Sequence, residues 1–468
     1  MKRQYEGKLI PLRGTLDEIR ATRADYEVML VTILDAILER FERDPSYPYI
    51  NTKLSVLTGE DFPEPADPSN DYRGKTAVYG WIQGRGLEAL AGHIRWLPNC
   101  SILSAPEKQD RIRRLTGMLK TVLDQMEKVR ARNNGRVTFL MTPEGQPFTF
   151  DETGRRKPIT LDPKVTSTTE LFYPKGMFAA AVLLGDKEKI AAAIPYFLKV
   201  AADIEAGRNR GDRVSFDPKN AAGENPNKRG HGARMIMLGG LAVFAEQLCD
   251  EEWFGWGEKF IRYIVGHHIN TGQFPDLQPY DYVECIGPEG KPWRENEQVM
   301  SDPGHSLEFI GLAAKFLLVL RNKPRKTASQ EELSSRCAEL FPHVLARNFA
   351  NGFNPKVGGI CKAFDLISRR PINSDMPWWN LPETMRAGAE LLLLSEGDKH
   401  TSGILRVIAD CSNGFMRSFV NPSARLMAYQ TVDASGRPVD VIPATPDADP
   451  GYHTGLSIID YLACAGQV

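Results

Sequence analysis

Apolar and polar positions along this chain alternate between two kinds of helical segment. The first kind is small or apolar on nearly every face: 176–185 reads Gly-Met-Phe-Ala-Ala-Ala-Val-Leu-Leu-Gly, and 237–245 and 310–318 read alike. The second kind carries charged stripes at helical spacing, as in the Lys- and Arg-rich run over 106–133. Helices that are apolar all round have to be buried, and amphipathic ones have to cover them. Capping boxes, Thr15-Leu-Asp-Glu18 and Ser104-Ala-Pro-Glu107, mark two helix starts, and Pro98 marks one stop.

The pattern predicts a first helix over 15–43, one through Tyr79-Gly-Trp81 ending near Leu97, and one over 106–133. Further helices are expected near 172–184, 186–205, 231–248, 250–268, 302–322, 328–349, 380–395, 399–419 and 452–465. That makes twelve helices in pairs, the first completing the pair that the last begins. Connections within a pair are short; those between pairs are long, at 44–74, 134–171, 206–230, 269–301, 350–379 and 420–451. Six buried helices inside six amphipathic ones predict an all-α (α/α)6 barrel, with residues 1–14 as an N-terminal tail and 15–468 as a single domain. Matching turns recur at Gly145-Gln-Pro147, Gly290-Lys-Pro292 and Gly436-Arg-Pro438 in three long connectors, and the first and third, flanked by alternating residues, read as short β-hairpins.

The long connectors gather beside the N-termini of the inner helices, so chemistry is expected there. Ser301-Asp302-Pro303-Gly304-His305 ends a loop and opens an inner helix, with Glu308 one turn along. Steps of 74 residues from His305 land on His231, Trp379 and His453, each at a loop-to-helix junction. By inner helix the candidates are Arg85; Lys175; His231 and Arg234; His305 and Glu308; Trp378, Trp379 and Glu383; and His453. The two tryptophans are also compatible with core packing. Arg85 and Lys175 lie on otherwise apolar helices, where an unpaired charge costs several kcal/mol, so an internal ion pair is the alternative to a ligand role.

Charge and cysteines narrow the function. With 58 basic and 59 acidic residues the net charge is −1, so no global field recruits nucleic acid or an anionic membrane, and a small molecule is the expected partner. The seven cysteines (100, 249, 285, 337, 361, 411, 464) contain no C-x-x-C, which argues against a disulfide framework and a zinc site. The N-terminus has no signal-peptide pattern and no run reaches the ~18 apolar residues of a membrane helix, so a cytoplasmic location is expected.

Five stretches resemble the N-acylglucosamine 2-epimerase family, which includes cellobiose 2-epimerases and aldose-ketose isomerases and is built as an (α/α)6 barrel. They are Trp81-Ile-Gln83-Gly-Arg85, Leu171-Phe-Tyr173-Pro-Lys175, Asp302-Pro-Gly304-His305-Ser-Leu-Glu308-Phe, Trp379-Asn-Leu-Pro-Glu383 and Tyr452-His453, in order along nearly the whole chain. The resemblance implies that His305 and His453 are acid/base histidines, Arg85 the sugar-binding arginine, Glu308 the carboxylate beside His305, and Trp379 with Glu383 the pocket wall. It implies C2 epimerisation or aldose-ketose isomerisation through an enediolate, with no cofactor or metal, and is compatible with a homodimer. Inverting a carbon beside a carbonyl needs a base and an acid flanking the sugar, and histidine serves as either near neutral pH. Arg85 would stabilise the developing oxyanion, and Glu308 would orient His305.

The chain also departs from the family. Many members have a further histidine on the third inner helix, where this chain has Ile236; His231, one turn earlier, is its expected substitute. Lys175 and Arg234 add positive charge, which suggests an acidic or otherwise substituted sugar. Two rivals stay open. One is a carbohydrate hydrolase or lyase using a carboxylate pair among Asp302, Asp375, Glu308 and Glu383. The other is a catalytically inactive sugar-binding protein, with Ile236 marking lost catalysis.

Overall fold

The computed structural model describes residues 4–11, 13–63, 71–151, 153–212, 225, 227–395, 399–441 and 444–467. These residues are mostly helical. In chain order the helices are α1 (Leu16–Arg20), α2 (Arg23–Arg43), α3 (Gly80–Trp96), α4 (Ala105–Arg132), α5 (Tyr173–Leu184), α6 (Lys187–Glu205) and α7 (Gly232–Leu248). They continue as α8 (Glu251–His267), α9 (Pro303–Arg321), α10 (Ala328–Gly352), α11 (Asn380–Leu394), α12 (Thr401–Ser418) and α13 (Ser457–Ala465).

The apolar helices pack one against the next. Thus α3 meets α5, α5 meets α7, α7 meets α9, α9 meets α11, α11 meets α13, and the π-helical turn Tyr452–Leu456 ahead of α13 returns to α3. Each is also covered from outside, α3 by α4, α5 by α6, α7 by α8, α9 by α10, α11 by α12 and α13 by α1. Helix α9 is long and apolar enough by composition to pass for a membrane span, contrary to the expectation from run length, and most of it is buried in the bundle. Close packing has a visible cause between α3 and α5. A Cβ at Gly176 would lie 2.1 Å from the Gly84 carbonyl oxygen, so only glycine allows this approach, which brings Arg85 and Lys175 side by side.

Both expected capping boxes form, with the Thr15 amide 2.8 Å from Glu18 and the Ser104 amide 2.9 Å from Glu107. The single helix expected over 15–43 is broken after Arg20, where the Thr22 hydroxyl bonds the Ile19 carbonyl at 2.7 Å. Helical periodicity is unchanged across that break and so does not record it. The N-terminal tail is tied down: the Lys8 amide bonds Asp25 at 2.6 Å, and Ile10 and Asn413 exchange bonds at 2.7 and 2.8 Å.

The three Gly-x-Pro turns behave alike, with Gly145, Gly290 and Gly436 at φ +89°, +74° and +84°. Each closes on a single antiparallel bridge, Met141 to Pro147, Ile286 to Pro292 and Val432 to Pro438. Their longer pairings run to distant chain. Leu140–Met141 pairs with Val78–Tyr79 ahead of α3, Cys285–Ile286 with Arg229–Gly230 ahead of α7, and Thr431–Val432 with Met376–Pro377 ahead of α11. Each connector therefore pins the entrance of an inner helix. A second, smaller core of Phe274, Leu277, Val283, Ile286, Val299, Cys361, Phe364 and Leu366 lies under the 269–301 connector.

Candidate active site

His305 stands in the first turn of α9, held by its own cap. Asp302 accepts from the Gly304 and His305 amides at 3.1 and 3.3 Å, and Pro303 takes the first helical position, where no amide is needed. The same carboxylate lies 3.3 Å from His305 Nδ1 and accepts from Lys362 Nζ at 2.6 Å. The closer partner of His305 Nδ1 is Glu284, at 3.0 Å. Burial opposes the imidazolium, but Asp302 and Glu284 outweigh it and lift His305 to about 9. The reverse holds for Glu284, which His305 and His231 keep well below the usual carboxylate range despite burial.

His453 is presented differently. Gly451, at φ +82°, turns the chain into the π-helical turn, and the Asp449 carboxylate accepts from the Tyr452, His453 and Thr454 amides at 3.0, 3.3 and 2.7 Å. A regular α-helix expected to start at 452 begins only at Ser457. His453 Nδ1 lies 2.8 Å from Glu383 Oε1, which also accepts from Ser457 Oγ at 2.9 Å. Glu383 Oε2 pairs with Arg386. Burial works against the Glu383 carboxylate, yet Arg386 and His453 lower its pKa. The indole of Trp379 packs against both imidazoles, at 5.4 Å from His305 and 5.7 Å from His453, so both belong to one site.

An ionised carboxylate can only accept hydrogen bonds. The Nδ1 of His453 therefore carries the proton it gives to Glu383, and Nε2 is turned away from that carboxylate. His305 also donates from Nδ1, and in its raised state it carries a second proton on Nε2. The two rings thus share one geometry, Nδ1 on a carboxylate, and differ in that two carboxylates lie against His305 and raise its pKa.

The structure corrects the expected partner of Glu308. Its carboxylate groups with Glu383 and His453, the ligand atoms of the three lying within 4.8 Å of one another, while His305 is served by Glu284 and Asp302. A side chain one helical turn along points with the helix, whereas the carboxylates on His305 come from its cap and from a connector. Burial, and then the neighbouring Glu383 charge, push the Glu308 pKa up, which favours the protonated acid.

Arg85 is caged by rings, its guanidinium carbon 4.3 Å from Phe172, 4.6 Å from Trp81 and 5.2 Å from Tyr452. Its buried Nε has no hydrogen-bond partner, and burial lowers its pKa. Lys175 and Arg234 do not offer the free positive charge expected of them. Lys175 pairs with Glu88 at 3.0 Å and bonds the Tyr452 hydroxyl. Arg234 stacks 3.7 Å over Tyr263 on α8 and pairs with Glu205 at 3.4 Å. Low-dielectric surroundings demand such neutralisation. Replacing Lys175 by Met is expected to destabilise the protein by about 2–3 kcal/mol, measured by urea unfolding, because Glu88 loses its partner. In a Glu88→Gln background the same change should cost much less.

His231 is fully buried and hydrogen-bonds into the site through Glu284, its Nε2 3.1 Å from Oε2. Trp378 is buried behind His453, its indole nitrogen donating to Thr454 Oγ1 at 3.2 Å. Reading missed Glu284, Arg386 and Asp449. For Glu284 a signal existed: it is the one charged residue in Tyr282-Val-Glu-Cys-Ile286, and at strand spacing it shares a face with Tyr282 and Ile286.

Among the described residues two groups have donor sets that suit a metal, His231/Glu284/His305 and Glu308/Glu383/His453, each within 4.8 Å. A histidine ligand normally gives its other ring nitrogen to a carbonyl or carboxylate, and His231 Nδ1 is buried with no partner. In the second group Arg386 and Ser457 already occupy Glu383. Both groups fit hydrogen-bonded acid/base pairs better than metal ligands.

The raised pKa of His305 has a consequence for stability. Its folded value, about 9, exceeds its unfolded one, so its contribution is fully present below about pH 6.5 and is lost as pH rises through 9. Urea unfolding is expected to find stability falling over that window, with a shallower fall in Glu284→Gln.

Apolar helices packed one against the next, with two carboxylate-backed histidines against one indole, frame the candidate site. The profile of the N-acylglucosamine 2-epimerase family matches residues 177–454, and the chain belongs to that family. It is an enzyme of the isomerase class, a sugar epimerase or isomerase. None of the curated protein sequences compared with it matches. Among solved structures, cellobiose 2-epimerase from Spirochaeta thermophila DSM 6192 superposes with TM-score 0.62 at 14% identity, over 98% of this chain and 99% of that one. The cellobiose 2-epimerase of Bacillus thermoamylovorans B4167 gives 0.58 at 13% identity, over 92% and 99%. A D-mannose isomerase gives 0.58 at 13% identity, over 92% and 97%. At these identities the likeness is one of fold.

Proposed function

We propose that the closed helix sequence is an (α/α)6 barrel, and that at its connector-rich end the chain interconverts sugars at C2 by two-histidine proton transfer. His453 Nε2 removes the proton from C2 of the open-chain aldose, and the electron pair moves onto the carbonyl oxygen to form an enediolate. Arg85, with no carboxylate of its own, meets that oxygen as it becomes negative. His305 then returns a proton from Nε2 to the opposite face of C2, which is epimerisation; return to C1 would give the ketose. Glu308, kept protonated, hydrogen-bonds a sugar oxygen, and Trp379 supplies an apolar wall for the ring or chain.

The observation that carries this reading is the asymmetry of the two imidazoles. His453 hydrogen-bonds to Glu383 alone, whereas Glu284 and Asp302 both lie against His305 Nδ1 and raise its pKa. A hydrolase built on Glu383 would need that carboxylate free as nucleophile or base, but it is engaged by His453, Ser457 and Arg386. The paired states of Lys175 and Arg234 favour a neutral sugar over an acidic one.

The test is incubation with a panel of neutral aldoses, disaccharides and uronates in D2O, followed by NMR at C1 and C2. Deuterium at C2 of a neutral sugar is the expected outcome, and His305→Asn is expected to lower its rate by about 10²–10⁴-fold. Turnover without carbon-bound exchange would overturn the mechanism.

A further inference from the structure

We infer that Glu284 is the positioning residue for the His305 half of the site, with His231 as its support. The inference rests on the two-histidine reading and adds to it the source of the orientation of His305. The Glu284 carboxylate uses both oxygens, Oε1 on His305 Nδ1 at 3.0 Å and Oε2 on His231 Nε2 at 3.1 Å. It links the cap of α7 to the first turn of α9, whose imidazoles lie 6.0 Å apart.

The connector that carries Glu284 is fixed on both sides. Val283 exchanges with His268, its amide bonding the His268 carbonyl at 2.7 Å and its carbonyl accepting from His268 Nδ1 at 2.8 Å. The Glu284 amide bonds the Met300 carbonyl at 3.0 Å, and Cys285–Ile286 pairs with Arg229–Gly230. His231 is locked edge-on between Tyr282 at 4.7 Å and His268 at 5.2 Å. These contacts hold the Glu284 carboxylate in place, and Nδ1 of His305 is aimed at it with Nε2 directed away.

Asp302 cannot do the same work alone. Its oxygens already accept from two α9 amides and from Lys362. The groups that face His305 are Glu284, Asp302, Lys362, His231, Glu308 and Trp379. Of these only Glu284 joins it to a second imidazole. Its negative charge supports the elevated state of His305 described above, and Ile236 leaves the third inner helix with no other proton-carrying group at that place.

The test is a pH titration of 15N-histidine-labelled protein by NMR, beside pH profiles of kcat and KM. In the wild type one of the eight histidines should titrate near 9 and vanish in His305→Asn. Glu284→Gln is expected to move that resonance down by about 1 unit or more, to lower kcat by roughly 10²-fold, and to change KM less than about 3-fold. His231→Gln is expected to move it in the same direction by less, and Glu284→Asp to retain most of the elevation. If Glu284→Gln does not fold, the His231→Gln and Glu284→Asp titrations decide. An unshifted His305 resonance in a folded variant overturns the inference. It leaves the two-histidine mechanism standing, because deuterium exchange in His305→Asn and His453→Asn judges that separately.

Discussion

His453→Asn is expected to cut the rate of C2 proton exchange by about 10³-fold or more, with KM changed only a few-fold. The Asn side chain matches the imidazole closely enough to keep the bond to Glu383 Oε1, now 2.8 Å from Nδ1. It cannot accept a proton at the position of Nε2. Arg85, Glu308 and Trp379 stay in place, so sugar still binds and the loss falls on kcat. Measurement of deuterium entry at C2 by NMR, with initial rates over a range of sugar concentrations, checks this. If the carboxylates alone did the chemistry, His453→Asn and His305→Asn would leave turnover largely intact.

Arg386→Met is expected to be the most damaging change to stability, at about 3–5 kcal/mol by urea or thermal unfolding. The Arg386 side chain is 7% exposed, is paired with Glu383, and lies 3.9 Å from Asp460. Glu383, at 1% exposure, would be left as a buried carboxylate with only His453 and Ser457 to satisfy it. Its pKa would rise, and a neutral Glu383 no longer holds His453 in the tautomer that frees Nε2. Activity should therefore fall with stability. The double variant Glu383→Gln/Arg386→Met is expected to recover much of the stability and none of the activity. A loss below about 1 kcal/mol in the single variant would show that the pair is not what holds Glu383 ionised.

Much of this site was legible because helical residues inherit their position from the helix. His305, just after the Pro303-Gly304 loop end, opens an inner helix as expected, and the structure adds an Asp302 cap to that start. Arg85 stands out as a charge on an apolar helix, and among the described ion pairs it has no carboxylate partner. Lys175 gives the same signal and has the opposite outcome, since Glu88 on the neighbouring helix neutralises it. Periodicity ranks both as anomalies and says nothing about what lies across the interface.

Glu308 and Glu284 mark the boundary between the two kinds of information. Spacing along α9 places Glu308 one turn from His305, but which histidine it serves depends on α11 and the turn at Tyr452–Leu456. Glu284 lies 21 residues before His305, in a connector whose conformation is set by the second core and by pairing with Arg229–Gly230.

The order of buried and amphipathic helices, their caps, the Gly-x-Pro turns and the two histidines were determined by the sequence alone, because each rests on interactions within a few residues. Only the tertiary structure decided which carboxylate backs which imidazole, which cations are neutralised, and which strand pins which helix. Those outcomes depend on contacts between segments far apart in the chain, where burial makes every charge seek a partner and local pattern does not name it.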